Sequence, residues 1–143
     1  MDHTQAQPAD NWSEQDFPVL GYRTSPVFFV ADVEASIAFY RDRLGFALQS
    51  SYGNPTCFAI VRLWAAALML SMPEKLSGHR PAFSLDNFSW DAHILVSDAR
   101  GYHEFCVANG AEIASGLVEA PYGMLEFVVR DPDGFGICFG QNL

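Results

Sequence analysis

The chain repeats itself once, and the repeat limits what it can fold into. Val30-Ala-Asp32 is echoed by Val96-Ser-Asp98, Phe39 by Phe105, and Gly45 by Gly110 after a one-residue deletion. Similarity at a fixed offset marks a duplicated unit. In the first copy, Pro26–Val30 reads as a strand, with its proline at the start where a missing donor is tolerated. Asp32 is a good helix cap and Glu34 suits the first turn. Val33, Ile37, Tyr40 and Leu44 then recur at helical spacing before Gly45. Strands are expected over 46–51, 56–63 and 66–72, with Gly53-Asn54-Pro55 as the first turn. Residues 72–88 read as a polar linker. The second copy restarts with a strand over 92–97, a helix capped by Asp98 and ended by Gly110, and a short strand over 111–115.

The last stretch carries the clearest turn. Asp131-Pro132-Asp133-Gly134 separates two apolar runs; Pro132 presets φ, Asp131 can bond back to the backbone, and Gly134 tolerates φ > 0. Leu125–Arg130 and Phe135–Phe139 are therefore antiparallel partners. Phe127 and Val129 share one face, and Val128 and Arg130 the other; Phe135, Ile137 and Phe139 alternate with Gly136 and Cys138. One face packs a core and the other is free to line a cavity. Each copy thus reads strand, helix, three strands. Neither buries its sheet alone, so the two are expected to join around a shared cleft.

The totals narrow the function. With 143 residues there is one domain, half of it apolar and rich in aromatics, including twelve Phe. That is enough for a core with apolar surface left over for a pocket or an interface. Eight basic against 17 acidic residues give a formal charge of −9, which argues against nucleic acid and suits a cationic small ligand, or simply keeps a protein soluble. No apolar run reaches membrane-spanning length, and the first residues lack a leader pattern, so the expected location is cytoplasmic with no membrane partner. Cys57, Cys106 and Cys138 are odd in number, far apart and set in apolar runs; they read as buried free thiols. Residues 1–20 read as a mobile arm whose Trp12, Phe17 and Leu20 pack on the domain or on a partner. Residues 21–143 form the domain, with modules over about 22–72 and 90–141.

Two of these stretches carry a resemblance. Pro26-Val…Val30-Ala-Asp32…Phe39-Tyr40-Arg41-Asp42-Arg43-Leu44-Gly45-Phe46, followed by Tyr122-Gly-Met-Leu-Glu126-Phe…Asp131-Pro-Asp-Gly134, resembles the vicinal oxygen chelate superfamily of glyoxalase I, bleomycin-resistance proteins and extradiol dioxygenases. The resemblance implies an α+β fold of two βαβββ modules forming a cupped eight-stranded mixed sheet, usually within a homodimer. It also implies that metal-dependent members place four ligands in the cup, usually His, Glu or Gln. Counted from the matched landmarks, those positions are Ser25, Met69, Asp91 and Cys138. This set is poor for a divalent ion, which wants converging carboxylates and imidazoles. No metal, cofactor or catalytic residue is expected from it. The chain is instead expected to resemble the metal-free bleomycin-resistance type.

Two residues stay open. His93 lies two positions from Asp91, on the same side of the strand, so a slip of two would make it a ligand beside Cys138. Glu126 lies on a strand like that of bleomycin-resistance members. It reads either as a structural carboxylate bonded to backbone amides or an arginine, or as a cup-facing group that meets a cationic guest. His3, His79 and His103 read as solvent-exposed. Three functions compete. The first is a metal-free binding protein that sequesters an aromatic or cationic small molecule between Phe58, Trp64, Trp90, Tyr122 and Phe127. The second is a metal-dependent lyase or dioxygenase with an unusual ligand set drawn from Asp91, His93, Glu126 and Cys138. The third is a structural or regulatory dimer whose cleft is vestigial.

Overall fold

The computed structural model describes residues 18–74, 80–86 and 89–143. Most of the expected arm, with Trp12 and Phe17, lies outside the described residues, as do His3 and His79. The first module runs β1 (Val27–Phe29), α1 (Val33–Leu44), β2 (Ala47–Tyr52), β3 (Phe58–Leu63) and β4 (Ala66–Ser71). A short helix α2 (Ala82–Leu85) follows, inside what the sequence suggests is a plain linker. The second module runs β5 (Ala92–Leu95), α3 (Ala99–Ala108), β6 (Glu112–Ala120), β7 (Met124–Arg130) and β8 (Gly136–Asn142).

The eight strands form two sheets of four, ordered β1-β4-β3-β2 and β5-β8-β7-β6. In each sheet the first strand pairs parallel with the last, and the other pairs are antiparallel. The duplication is therefore one of topology as well as sequence. Local chemistry sets the helices. The Asp32 carboxylate accepts the Ala35 N–H at 3.1 Å, and Asp98 accepts that of Gly101 at 2.9 Å. Gly45 closes α1 at φ 72°, a left-handed position that suits glycine. β6 is longer than expected because it carries on past 115 through two irregular steps in its pairing with β7.

One core serves both modules. Val33, Ile37, Tyr40 and Leu44 of α1 belong to the same buried cluster as Phe127, Val129, Ile137 and Phe139 from β7 and β8. The rings of Phe28 and Phe135 stack across the two modules at 4.1 Å. Burying each such side chain contributes roughly 1.5–3 kcal/mol. His103 is half-buried rather than solvent-exposed, because its ring meets the face of Phe127 edge-on. Cys106 and Cys138 are buried and Cys57 is partly so, all as free thiols. No helix among the described residues is long and apolar enough to cross a membrane. Because the helix-facing side of each sheet is spent on this shared core, the other side is left for a site.

Candidate functional site

Strand β8 builds the floor. On its outward side stand Gly136, Cys138 and Gly140, a row of small residues that makes a trough. Larger groups from neighbouring elements lie in it. A Cβ at Gly140 would come within 3.0 Å of the His93 imidazole and 2.7 Å of the Met124 terminal carbon. That gap matters, because His93 on β5 and Glu126 on β7 flank β8 from opposite sides. Only across a glycine does the His93 Nε2 reach the Glu126 Oε2, at 2.8 Å.

Glu126 is the centre of this network. It is 4% exposed. The Tyr122 hydroxyl donates to its Oε1, and the Cys138 thiol lies 3.5 Å from its Oε2. Burial first, then the neighbouring carboxylate, push the Tyr122 phenol and the Cys138 thiol well above their usual ranges, so both stay protonated donors at neutral pH. The structural reading of Glu126 is corrected here. Among the described residues its partners are imidazole, phenol and thiol, not backbone amides or an arginine; Arg130, four residues along the same strand and on the same face, is turned to Glu112 at 2.6 Å.

A cavity of about 310 Å³ opens above these groups. Trp90, Val118, Tyr122, Val128 and Cys138 wall it, with Glu126 at the base and Glu119 at the rim. None of its described lining residues is Lys or Arg.

The expected site residues do not fall in one place. Trp90, His93, Tyr122, Glu126 and Cys138 come together around the trough. Phe127 borders the cavity, but its ring packs on the opposite face against Tyr102 and Phe139. Phe58 and Met69 stand on the outward side of the first sheet, and Trp64, 89% exposed, sits on the β3–β4 turn beside a separate cavity of about 550 Å³. Asp91 goes elsewhere: its carboxylate accepts backbone N–H groups from Ala82 at 2.6 Å, Phe83 at 3.3 Å and Gly136 at 2.9 Å. Sequence reasoning missed Phe83, which packs on Val128 and Cys138. An apolar ring in a linker that reads as polar was its only signal.

The sequence pattern of the Glyoxalase/Bleomycin resistance protein/Dioxygenase superfamily matches residues 24–139. The chain belongs to this superfamily. Among solved structures it is similar to the bleomycin-binding protein from bleomycin-producing Streptomyces verticillus, complexed with copper(II)-bleomycin. That match has 29% identity and a TM-score of 0.63, and it covers 87% of this chain and 97% of that one. TioX from Micromonospora sp. ML1 matches at 20% identity and a TM-score of 0.68, over 86% and 100% of the two chains. Lactoylglutathione lyase from Agrobacterium tumefaciens matches at 18% and 0.64, over 87% and 96%. The last two identities speak for the fold alone. No curated protein matches the sequence.

Register corrects the placement of the superfamily's four cup positions. His93, not Asp91, lies across from Cys138, and by the same repeat Val27, not Ser25, lies across from Met69. The set therefore reads Val27, Met69, His93 and Cys138. The first module offers an alkyl group and a thioether, which hold a divalent ion poorly. In the second module, His93, Cys138 and the added Glu126 place their ligand atoms within 4.8 Å of one another. Imidazole, thiolate and carboxylate from three strands fit a borderline ion such as Zn²⁺, with one position left open. Such an ion would have to displace the Cys138 proton, which burial and Glu126 hold in place.

Proposed function

We propose that this chain is a small-molecule-binding protein whose second-module cleft takes an aromatic ligand carrying a positive charge. One observation carries the reading. A buried carboxylate, Glu126, stands at the base of an aromatic cavity with no Lys or Arg among its described lining residues. Trp90 and Tyr122 supply flat apolar surface and cation–π faces, and Glu119 adds a second negative charge at the rim. The net charge of −9 draws a cation inward. The likeness to a bleomycin-binding protein at 29% identity supports binding as a function in its own right. Isothermal titration with metal-free bleomycin and with a cationic aromatic dye tests this. Glu126→Gln should weaken binding roughly tenfold, the scale of one charge-assisted contact, with an unchanged melting temperature. Equal binding of a neutral analogue, or no loss in the variant, would refute it. If no compound binds, the vestigial-cleft reading gains.

The converging ligand atoms of His93, Glu126 and Cys138 favour a second reading, a metal-dependent member of the superfamily. If it holds, Zn²⁺ binds stoichiometrically and releases protons, and Cys138→Ser lowers the affinity by tenfold or more. Elemental analysis without bound metal, and no uptake on titration, would dispose of it. We also propose a homodimer in the cytoplasm. Val27 and Tyr52 leave apolar surface on the outward side of the first sheet, which a second copy would cover. Sedimentation at micromolar concentration reads this directly.

A further inference from the structure

We propose that Phe83 is the residue that sets the length of the ligand cleft. The linker helix α2 is a fixed stopper, and Asp91 is its fastening. This inference deepens the reading above. Helix α2 has four residues and no cap from its own N-cap residue, Pro81. The Asp91 carboxylate does that work from the next module segment. It gathers the Ala82 and Phe83 N–H groups and also the Gly136 N–H, so one side chain ties the linker to the start of β8. Both its oxygens are spent on these amides.

The fastening places Phe83 in the trough. Its side chain, 4% exposed, lies over Gly136, where a Cβ would come within 2.3 Å of the ring. Val128 and Cys138 line the cleft and also pack on Phe83, with Trp90 against the same cluster. The Arg130 guanidinium lies 5.2 Å from the ring centre, held by Glu112. The β8 trough is thus filled at Gly140 by His93 and at Gly136 by Phe83, with Cys138 between them. Phe83 comes from the linker, not from the sheet. Shortening it extends the cleft along β8 while every strand pairing stays in place.

Cysteine labelling tests this without a ligand. With methyl methanethiosulfonate and mass-spectrometric readout, Phe83→Ala should speed labelling of Cys138 at least tenfold, with Phe83→Leu and Asp91→Asn in between. Cys106, wholly buried in the main core, reports general loosening and should not change. An unchanged Cys138 rate, or parallel rises at both thiols, would overturn the proposal. If Phe83→Ala does not fold, the Leu and Asn variants decide by the same ratio. A series of n-alkyltrimethylammonium ions gives the second readout. Beyond the chain length at which wild-type affinity levels off, Phe83→Ala should gain roughly fourfold per added methylene. Identical profiles would refute the stopper. Wild-type protein that binds none of the series would count against the cationic-ligand reading alone, and labelling would still decide the stopper.

Discussion

Asp131 does more than start a turn. Its Oδ1 accepts the N–H groups of Asp133 and Phe135, and its Oδ2 accepts the Tyr40 hydroxyl at 2.8 Å. Burial, the largest influence, lifts its pKa from the usual carboxylate range to about 6, against the pull of those hydrogen bonds; the nearby Asp133 charge adds to the rise. A carboxyl whose pKa is higher folded than unfolded stabilises the fold when protonated. That contribution is complete below about pH 4 and is lost as pH rises through about 6. Asp131→Asn keeps the shape and cannot ionise. Its stability relative to wild type should therefore grow between pH 4.5 and 7.5, by on the order of 2 kcal/mol. Urea titrations at the two pH values check this, and a constant difference would count against it. The Asx turn itself was legible in the sequence. The raised pKa was not, because it comes from burial under core residues distant along the chain, and Tyr40, 91 positions away, pulls it the other way.

Strand β8 shows how little of a site a strand's own sequence declares. Its alternation was readable, with Ile137 and Phe139 inward and Cys138 outward, and the structure keeps it. What the sequence did not say is why Gly136 and Gly140 have no side chains. Each leaves room for a residue from another element, Phe83 and His93. Gly140→Ala should push the His93 ring off Glu126, costing about 1–3 kcal/mol in urea unfolding and weakening the cationic probe as Glu126→Gln does. Gly116→Ala, where nothing lies within 4 Å of the new methyl, should change stability by less than about 0.5 kcal/mol. Equal effects at both positions would remove the argument. The helices were read closely, Val33–Leu44 to the residue, because capping and 3.6-residue spacing are local properties. α2 was missed because its cap, Asp91, comes from nine residues downstream of Ala82.

Across the whole molecule, the modules are fastened by polar bonds as well as by a shared core. Tyr40 bonds Asp131, Asp133 accepts the Ala31 N–H at 2.9 Å, Tyr102 donates to the Leu44 carbonyl at 2.6 Å, and Arg43 to that of Asn109 at 2.8 Å. Unfolding should therefore be a single transition, and Tyr40→Phe should lower the unfolding free energy by about 1–3 kcal/mol without splitting the transition, because Asp131 loses a buried partner. Two separate transitions by calorimetry would contradict this. Chain order alone determined the architecture: the repeated strand, capped helix and three strands, and the tight Asp-Pro-Asp-Gly turn, follow from local spacing and turn chemistry. Only the tertiary structure decided the site. Which residue faces Cys138, what Glu126 touches and where Asp91 spends its oxygens depend on register between strands far apart in sequence. A shift of two along one strand, invisible to its alternation, exchanges an aspartate for a histidine.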